Sequence, residues 1–335
     1  MDHSALPRLD WHSFLTTWEV RPGWLSCCVV LLLAYGVGLY AAARRGNRSV
    51  SPVRIACFVL GVVTLAVCMS SAVDAYAMSL FWMHMIEHLT LITVVPTLLV
   101  LGHPLTVLRS AGSPEWQRVF DAAMHSLPVS ILTHPLLGLV AYGVVVFYTH
   151  LTPFMDRMAS DPDLMVVEQF AYLGSGAWLL LGAIGEEPIR WHTPYLLRLA
   201  LVVMAMIPDT LVGIVLLQTP KNPFPIYMAM RPTWAPSAMH DVDVGGSLMW
   251  AAGDGLMMCL SIGLVVSLLA GATRDRLLGD WLEGVRTSTF VSHVERSGVE
   301  LDRPEGRLDD DDDALAAYNE MLARMRSGHD DPQRP

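Results

Sequence analysis

Phe81-Trp-Met-His84-Met-Ile-Glu-His88-Leu-Thr-Leu-Ile-Thr-Val-Val-Pro96-Thr-Leu-Leu-Val-Leu101 decides how this chain reads. The run is long enough to cross a bilayer, which takes about 20 residues. It carries two histidines four apart, which lie on one face of a helix. Polar side chains are costly in a membrane helix, so such a pair points to function.

The rest of the chain agrees with a membrane setting. It has 335 residues, 53% of them hydrophobic and 16% charged, and a mean hydropathy of +0.42. Soluble domains carry roughly 25% charged residues. A soluble fold could not hide this much apolar surface, so a multi-pass membrane protein is expected. The net charge of −10 is uneven, with the acidic run Asp309 to Asp313 near the C-terminus. Nucleic acid is therefore not an expected partner, whereas membrane lipid is. The cysteines Cys27, Cys28, Cys57, Cys68 and Cys259 all fall in apolar runs without a CxxC pair, and read as small membrane-core residues. Residues 1–23 lack the basic start and small-residue cleavage site of a signal peptide.

The expected fold is all-α, a bundle of about seven transmembrane helices. The spans run Trp24–Ala43, Pro52–Val73, Phe81–Leu101, Val129–Thr149, Leu164–Ile184, Tyr195–Leu217 and Val244–Ala270. Residues 1–23 form an N-terminal segment, 24–273 the transmembrane domain, and 274–335 an acidic tail expected to be largely disordered. Arg44, Arg45, Arg48, Arg54, Arg109, Arg118, Arg190, Arg198, Arg274 and Arg276 fall on one set of connections. The positive-inside rule then places the N-terminus outside and the C-terminus in the cytoplasm.

That topology gathers His84, His88, His150 and His240 toward the outer face, with Met85, Met239 and other methionines on the same side. Imidazole and thioether together suit copper, with thioether favouring Cu(I). Methionine also fills apolar interiors without any metal role. Asp209, Asp254 and Glu168 are carboxylates inside spans, where each needs a partner: a metal, a proton, or a donor on a neighbouring helix. Asp241, in Asp241-Val-Asp-Val-Gly245-Gly246, suits the positive end of a helix dipole, with metal ligation as a further reading. The glycine pair suits close helix packing.

Three stretches carry a family resemblance. They are Ser79-Leu-Phe-Trp-Met-His84-Met-Ile-Glu-His88 running on to Pro96 and Gly102-His-Pro104; His134-Pro135 with His150 and Pro153; and Asp241-Val-Asp-Val-Gly245-Gly246-Ser-Leu-Met-Trp250-Ala-Ala-Gly253-Asp254. Together they resemble the CtaG family, assembly factors of caa3-type cytochrome c oxidase. The resemblance implies a protein of the bacterial plasma membrane that helps mature the oxidase at its copper centre, with oxidase subunits as partners. The sequence departs from the family pattern at Glu87, at Asp254, and at Glu168-Gln169, where histidines are expected in the fifth span. That last difference shifts the expected ligand set toward His150 and His240.

Four other readings stand beside transient copper binding. His84-x-x-Glu87-His88 matches a zinc-protease pattern with Glu168 as third ligand, although no enzyme is expected here. Asp209 and Asp254 would line the path of a copper or other metal-ion transporter. Paired histidines on facing helices would bind haem. A membrane scaffold would bind nothing.

Overall fold

The computed structural model describes residues 6–47 and 50–270, with isolated positions 316, 318, 319 and 322. By contacts the chain divides into two units, Met1–Val265 and Val266–Pro335. Apart from those isolated positions, the acidic tail lies outside the described residues.

Among the described residues the secondary structure is helical, without strands. A short α1 (Trp11–Thr16) precedes α2 (Pro22–Arg44), α3 (Pro52–Cys68) and α4 (Ala72–Ala77). Helix α5 (Phe81–Leu89) continues through a π turn, Thr90–Val94, into α6 (Val95–Leu101). Short helices α7 (Pro104–Ser110), α8 (Pro114–Met124) and α9 (Leu127–Leu132) lead to α10 (Pro135–Leu151). Then come α11 (Phe154–Met158), α12 (Pro162–Ala183), α13 (Tyr195–Gln218), α14 (Pro225–Met230) and α15 (Ala238–Ser247). A second π turn, Leu248–Ala252, carries α15 on as helix to Ala270.

Proline punctuates this order. Pro22, Pro52, Pro135 and Pro162 each stand in the first turn of a helix. There the missing N–H costs nothing and the fixed φ favours helix. Pro135 also changes the expected fourth span. The residue before a proline avoids helical geometry, and His134 is extended at φ −68°, ψ 125°. The helix therefore breaks after Leu132 and restarts at Pro135. The second span is also shorter than expected, because Ser71 caps a separate α4 by accepting from the Val73 N–H. The last span begins earlier, at Ala238, where Ser237 accepts from the His240 N–H.

Five stretches are long and apolar enough to cross a membrane: Pro22–Arg44, Phe81–Ser110, Pro162–Ala183, Tyr195–Gln218 and Ala238–Ala270. Two shorter apolar helices, α3 and α10, accompany them. Burial separates centre from edge. Half of the Phe81–Ser110 window is buried, against 22% for α2 and 17% for Ala238–Ala270. Val29, Val30, Leu33 and Val37 of α2 are more than half exposed. Such continuous apolar surface suits lipid, and this is a membrane protein.

The central helix is held by two devices. Pro96 has no N–H to give the Ile92 carbonyl one turn back, and its ring crowds that carbonyl. The π turn at Thr90–Val94 is the local widening that accommodates it. Helix α12 closes on this turn through Gly176, where any side chain would run into the Ile92 carbonyl. On the other side Gly245 of α15 admits Phe81 and Met85; a Cβ there would stand 3.2 Å from Met85 Cγ.

The two ends of the bundle differ. At one end Arg54 contacts His103 and pairs with Glu186 at 3.1 Å. Arg45 donates to the Ala111 carbonyl at 3.1 Å and Arg109 forks onto Asp121 at 2.6 and 2.8 Å. Arg45, Arg54 and Arg109, three of the arginines expected on one side of the membrane, thus share one end. His84 and His88 lie toward the other, since α5 starts there and reaches His103 only after α6.

Candidate metal centre

Three buried side chains from two helices converge near the end of the bundle opposite those arginines. His84 and His88 come from α5, and Glu168 from the second turn of α12. They are 2%, 1% and 1% exposed. His84 Nε2 lies 3.7 Å from Glu168 Oε2 and His88 Nε2 lies 3.5 Å from Glu168 Oε1. Both separations exceed a normal hydrogen bond. One ligand atom from each residue falls within 4.8 Å of the others, a spacing that could hold a metal ion.

His150, from the last turn of α10, adjoins this trio. Its ring meets His88 edge-on with centroids 5.4 Å apart. Its Nδ1 lies 2.9 Å from the Val146 carbonyl. A carbonyl only accepts, so Nδ1 carries the proton and Nε2 keeps the lone pair. Thr149 and Tyr172 crowd the same Nδ1 at 3.0 and 3.3 Å. Backbone support of one ring nitrogen is the usual way a metal-ligating imidazole is oriented through the other. Tyr172 also stacks on His88 at 3.9 Å.

What distinguishes the centre is the concentration of unpaired polar atoms on adjoining side chains. Both nitrogens of His84, both of His88, Nε2 of His150 and both oxygens of Glu168 are buried without a hydrogen-bond partner. Each such atom costs about 1–3 kcal/mol if nothing satisfies it. Among the described residues no arginine or lysine pairs with Glu168. A bound cation satisfies the carboxylate and the imidazole lone pairs together. Two imidazoles and a carboxylate are a familiar donor set for divalent transition metals.

The neighbouring carboxylates each find a donor for one oxygen, while the other oxygen of Asp209 and of Asp254 stays unpaired. Glu87 faces neither an arginine nor lipid: it is buried and accepts from Gln169 Nε2 at 2.7 Å. Gln169 Oε1 in turn accepts from Trp24 Nε1 at 2.9 Å. Asp209 accepts from the Tyr142 hydroxyl and Asp254 from the Thr210 hydroxyl, both at 2.7 Å. Each therefore clasps two helices. Outside the spans, burial pushes the Asp74 carboxyl up to about 6, while the Arg21 guanidinium at 2.6 Å pulls the other way.

Other sequence-expected ligands lie apart. Asp241 is buried and accepts from the Phe81 and Trp82 N–H groups at 2.9 and 3.0 Å. It thus caps α5 from another helix, where Leu80 offers no side-chain cap. With Asp241 turned inward, His240, one residue earlier on α15, is exposed and lines a cavity shared with Asp243 and Ser247. Met239 is half-buried, and Met85 packs toward Gly245. In the sequence Glu168 stood beside the histidine pair only as third ligand of the zinc-protease reading, and otherwise as a carboxylate inside an apolar helix that needed a partner.

An uncharacterized protein of Mycobacterium leprae is 28% identical over 331 residues, covering 93% of this chain and 46% of the relative. Uncharacterized proteins of Mycobacterium bovis and Mycobacterium tuberculosis are each 27% identical over 330 residues, covering 93% of the chain and 45% of theirs. The chain thus spans less than half the length of these relatives. No solved structure matches it. The family profile described as cytochrome c oxidase caa3 assembly factor matches residues 33–270, which take in both histidine helices, Glu168 and the Asp241 cap. With most of its length inside that match, the chain belongs to the caa3 cytochrome c oxidase assembly factor family, CtaG.

Proposed function

We propose that the protein holds a copper ion transiently at His84, His88 and Glu168, with His150 as a fourth donor, for insertion into the copper centre of a cytochrome c oxidase. The observation that carries this reading is the cluster of buried, unpaired donor atoms from four side chains. Copper heads the divalent affinity order for nitrogen and oxygen donors. The rings pack too tightly for a macrocycle: His84 and His88 centroids are 3.9 Å apart, and Tyr172 covers His88 at the same distance. An ion suits this space better than haem. The clasped state of Asp209 and Asp254 favours a fixed bundle over an ion path. The role is that of a carrier, not an enzyme.

The setting is a bacterial plasma membrane, crossed seven times. Helices α3 and α10 have 17 residues each, about 25 Å at 1.5 Å per residue, the short end of what spans a bilayer. Counting them with the five longer stretches gives an odd number of crossings, an outer N-terminus and a cytoplasmic C-terminus. The arginine-rich end then faces the cytoplasm and the copper centre lies in the outer half. The partners are oxidase subunits and lipid, with no nucleic acid. The test is copper in the oxidase purified from cells carrying His84→Ala with His88→Ala. The variant should insert normally while the oxidase lacks copper and activity. A fully copper-loaded oxidase from those cells would refute the proposal.

A further inference from the structure

The centre is sealed, so its cargo needs a way in and out. We infer that the ion passes through a cavity of 360 Å³ at the end of the bundle, and that His150 at its wall hands the ion to and from His88, His84 and Glu168. This rests on the reading of the centre as a copper site.

Three observations carry it. First, His150 lies on the cavity wall and also has its ring 5.4 Å from His88. One side chain therefore touches both the cavity and the centre. His150 is 3% exposed, and its Nε2 is buried without a partner. With Nδ1 committed to Val146, Nε2 is the nitrogen left to take an ion. Second, the cavity wall offers oxygen to a cation. Thr152, Asp156 and Thr219 line it together with the apolar Leu216 and Phe224. Asp156 uses Oδ1 to accept from the Ile226 N–H at 3.2 Å, which ties α11 to α14 and fixes the carboxylate in the cavity wall. Third, two other cavities, of 750 and 560 Å³, include no residue of the centre in their walls.

The chemistry is graded along this route. A single carboxylate and hydroxyls hold a cation weakly, one imidazole holds it better, and two imidazoles with a carboxylate hold it best. A carrier that must release its cargo works through such steps of exchange, each ligand replaced before the next leaves.

The test blocks the cavity without altering the centre. The full chain carrying Thr219→Cys, in detergent, is treated with a bulky maleimide and offered copper(II) glycinate; bound copper is followed over time. Treated wild type controls for the native cysteines, of which Cys259 is exposed. Treated Ser247→Cys, in the cavity beside His240, controls for bulk at the wrong place. The labelled Thr219→Cys chain should load and release copper at least tenfold more slowly, yet reach the same final occupancy as unlabelled chain. Both controls should load at the native rate. Loading of labelled Thr219→Cys at the native rate would overturn the route and leave the centre standing, as would equal slowing by the Ser247→Cys label. Lower final occupancy at an unchanged rate would also overturn it, since the label would then act on the centre. Failure of untreated wild type to retain copper would overturn the centre, and the route with it.

Discussion

Glu168 shows what a single residue does here. A carboxylate 1% exposed, with two imidazoles near it and no arginine or lysine partner among the described residues, is one whose charge a bound cation would balance. Glu168→Gln keeps the shape and removes that charge. Copper affinity should fall at least about 10- to 100-fold, the loss caused even by outer-sphere partners, as measured by competition with a copper chelator. An unchanged affinity would remove Glu168 from the ligand set. Glu87 behaves otherwise, because Gln169 already satisfies it. The pair His84 and His88 was legible in the sequence, since a four-residue step on a helix needs no tertiary information. Glu168 was legible as an intramembrane carboxylate and as third ligand of the zinc-protease reading, but not as part of the expected copper set, because the helix it faces is set by packing. His240 was misleading for the same reason: whether it or Asp241 faced inward depended on the phase of α15. Asp241 took the inward place by capping α5.

Helices set the position of these groups. Asp241 satisfies two N–H groups at the start of the histidine helix. Asp241→Ala should cost about 0.5–2 kcal/mol of stability, as other lost caps do, read as a lower thermal midpoint in detergent; Asp241→Asn should recover part of it. No loss in Asp241→Ala would contradict the capping role. Gly176 sets the approach of α12 to α5 and α6. A side chain there meets the Ile92 carbonyl, and overpacking of this kind costs about 1–3 kcal/mol. Gly176→Val should therefore push α12 outward, separating Glu168 from the histidines, and weaken copper binding although it removes no ligand. Wild-type affinity in that variant would mean the close approach is unimportant. Long apolar runs made α2, α12 and α13 readable within about two residues at each end. The break at His134-Pro135 and the π turn before Pro96 were not, because both depend on how a missing N–H is accommodated locally.

At the scale of the molecule, Arg45, Arg54 and Arg109 sit at one end of the bundle and the cluster of His84, His88 and His150 lies toward the other. The histidine end is assembled from the starts of α5, α12 and α15 and the finishes of α10 and α13. Bringing five helix ends together lets a few side chains leave the lipid environment and meet in a sealed polar pocket. The cost of their burial is acceptable only if something binds them, and that is the central claim. Its most direct test is the copper content of the purified chain after loading and removal of excess metal, compared with the His84→Ala, His88→Ala double variant. The account predicts about one retained copper per wild-type chain, as expected for a single donor set, and none in the folded variant. A wild-type chain that retains no copper, or a double variant that retains as much, would contradict it.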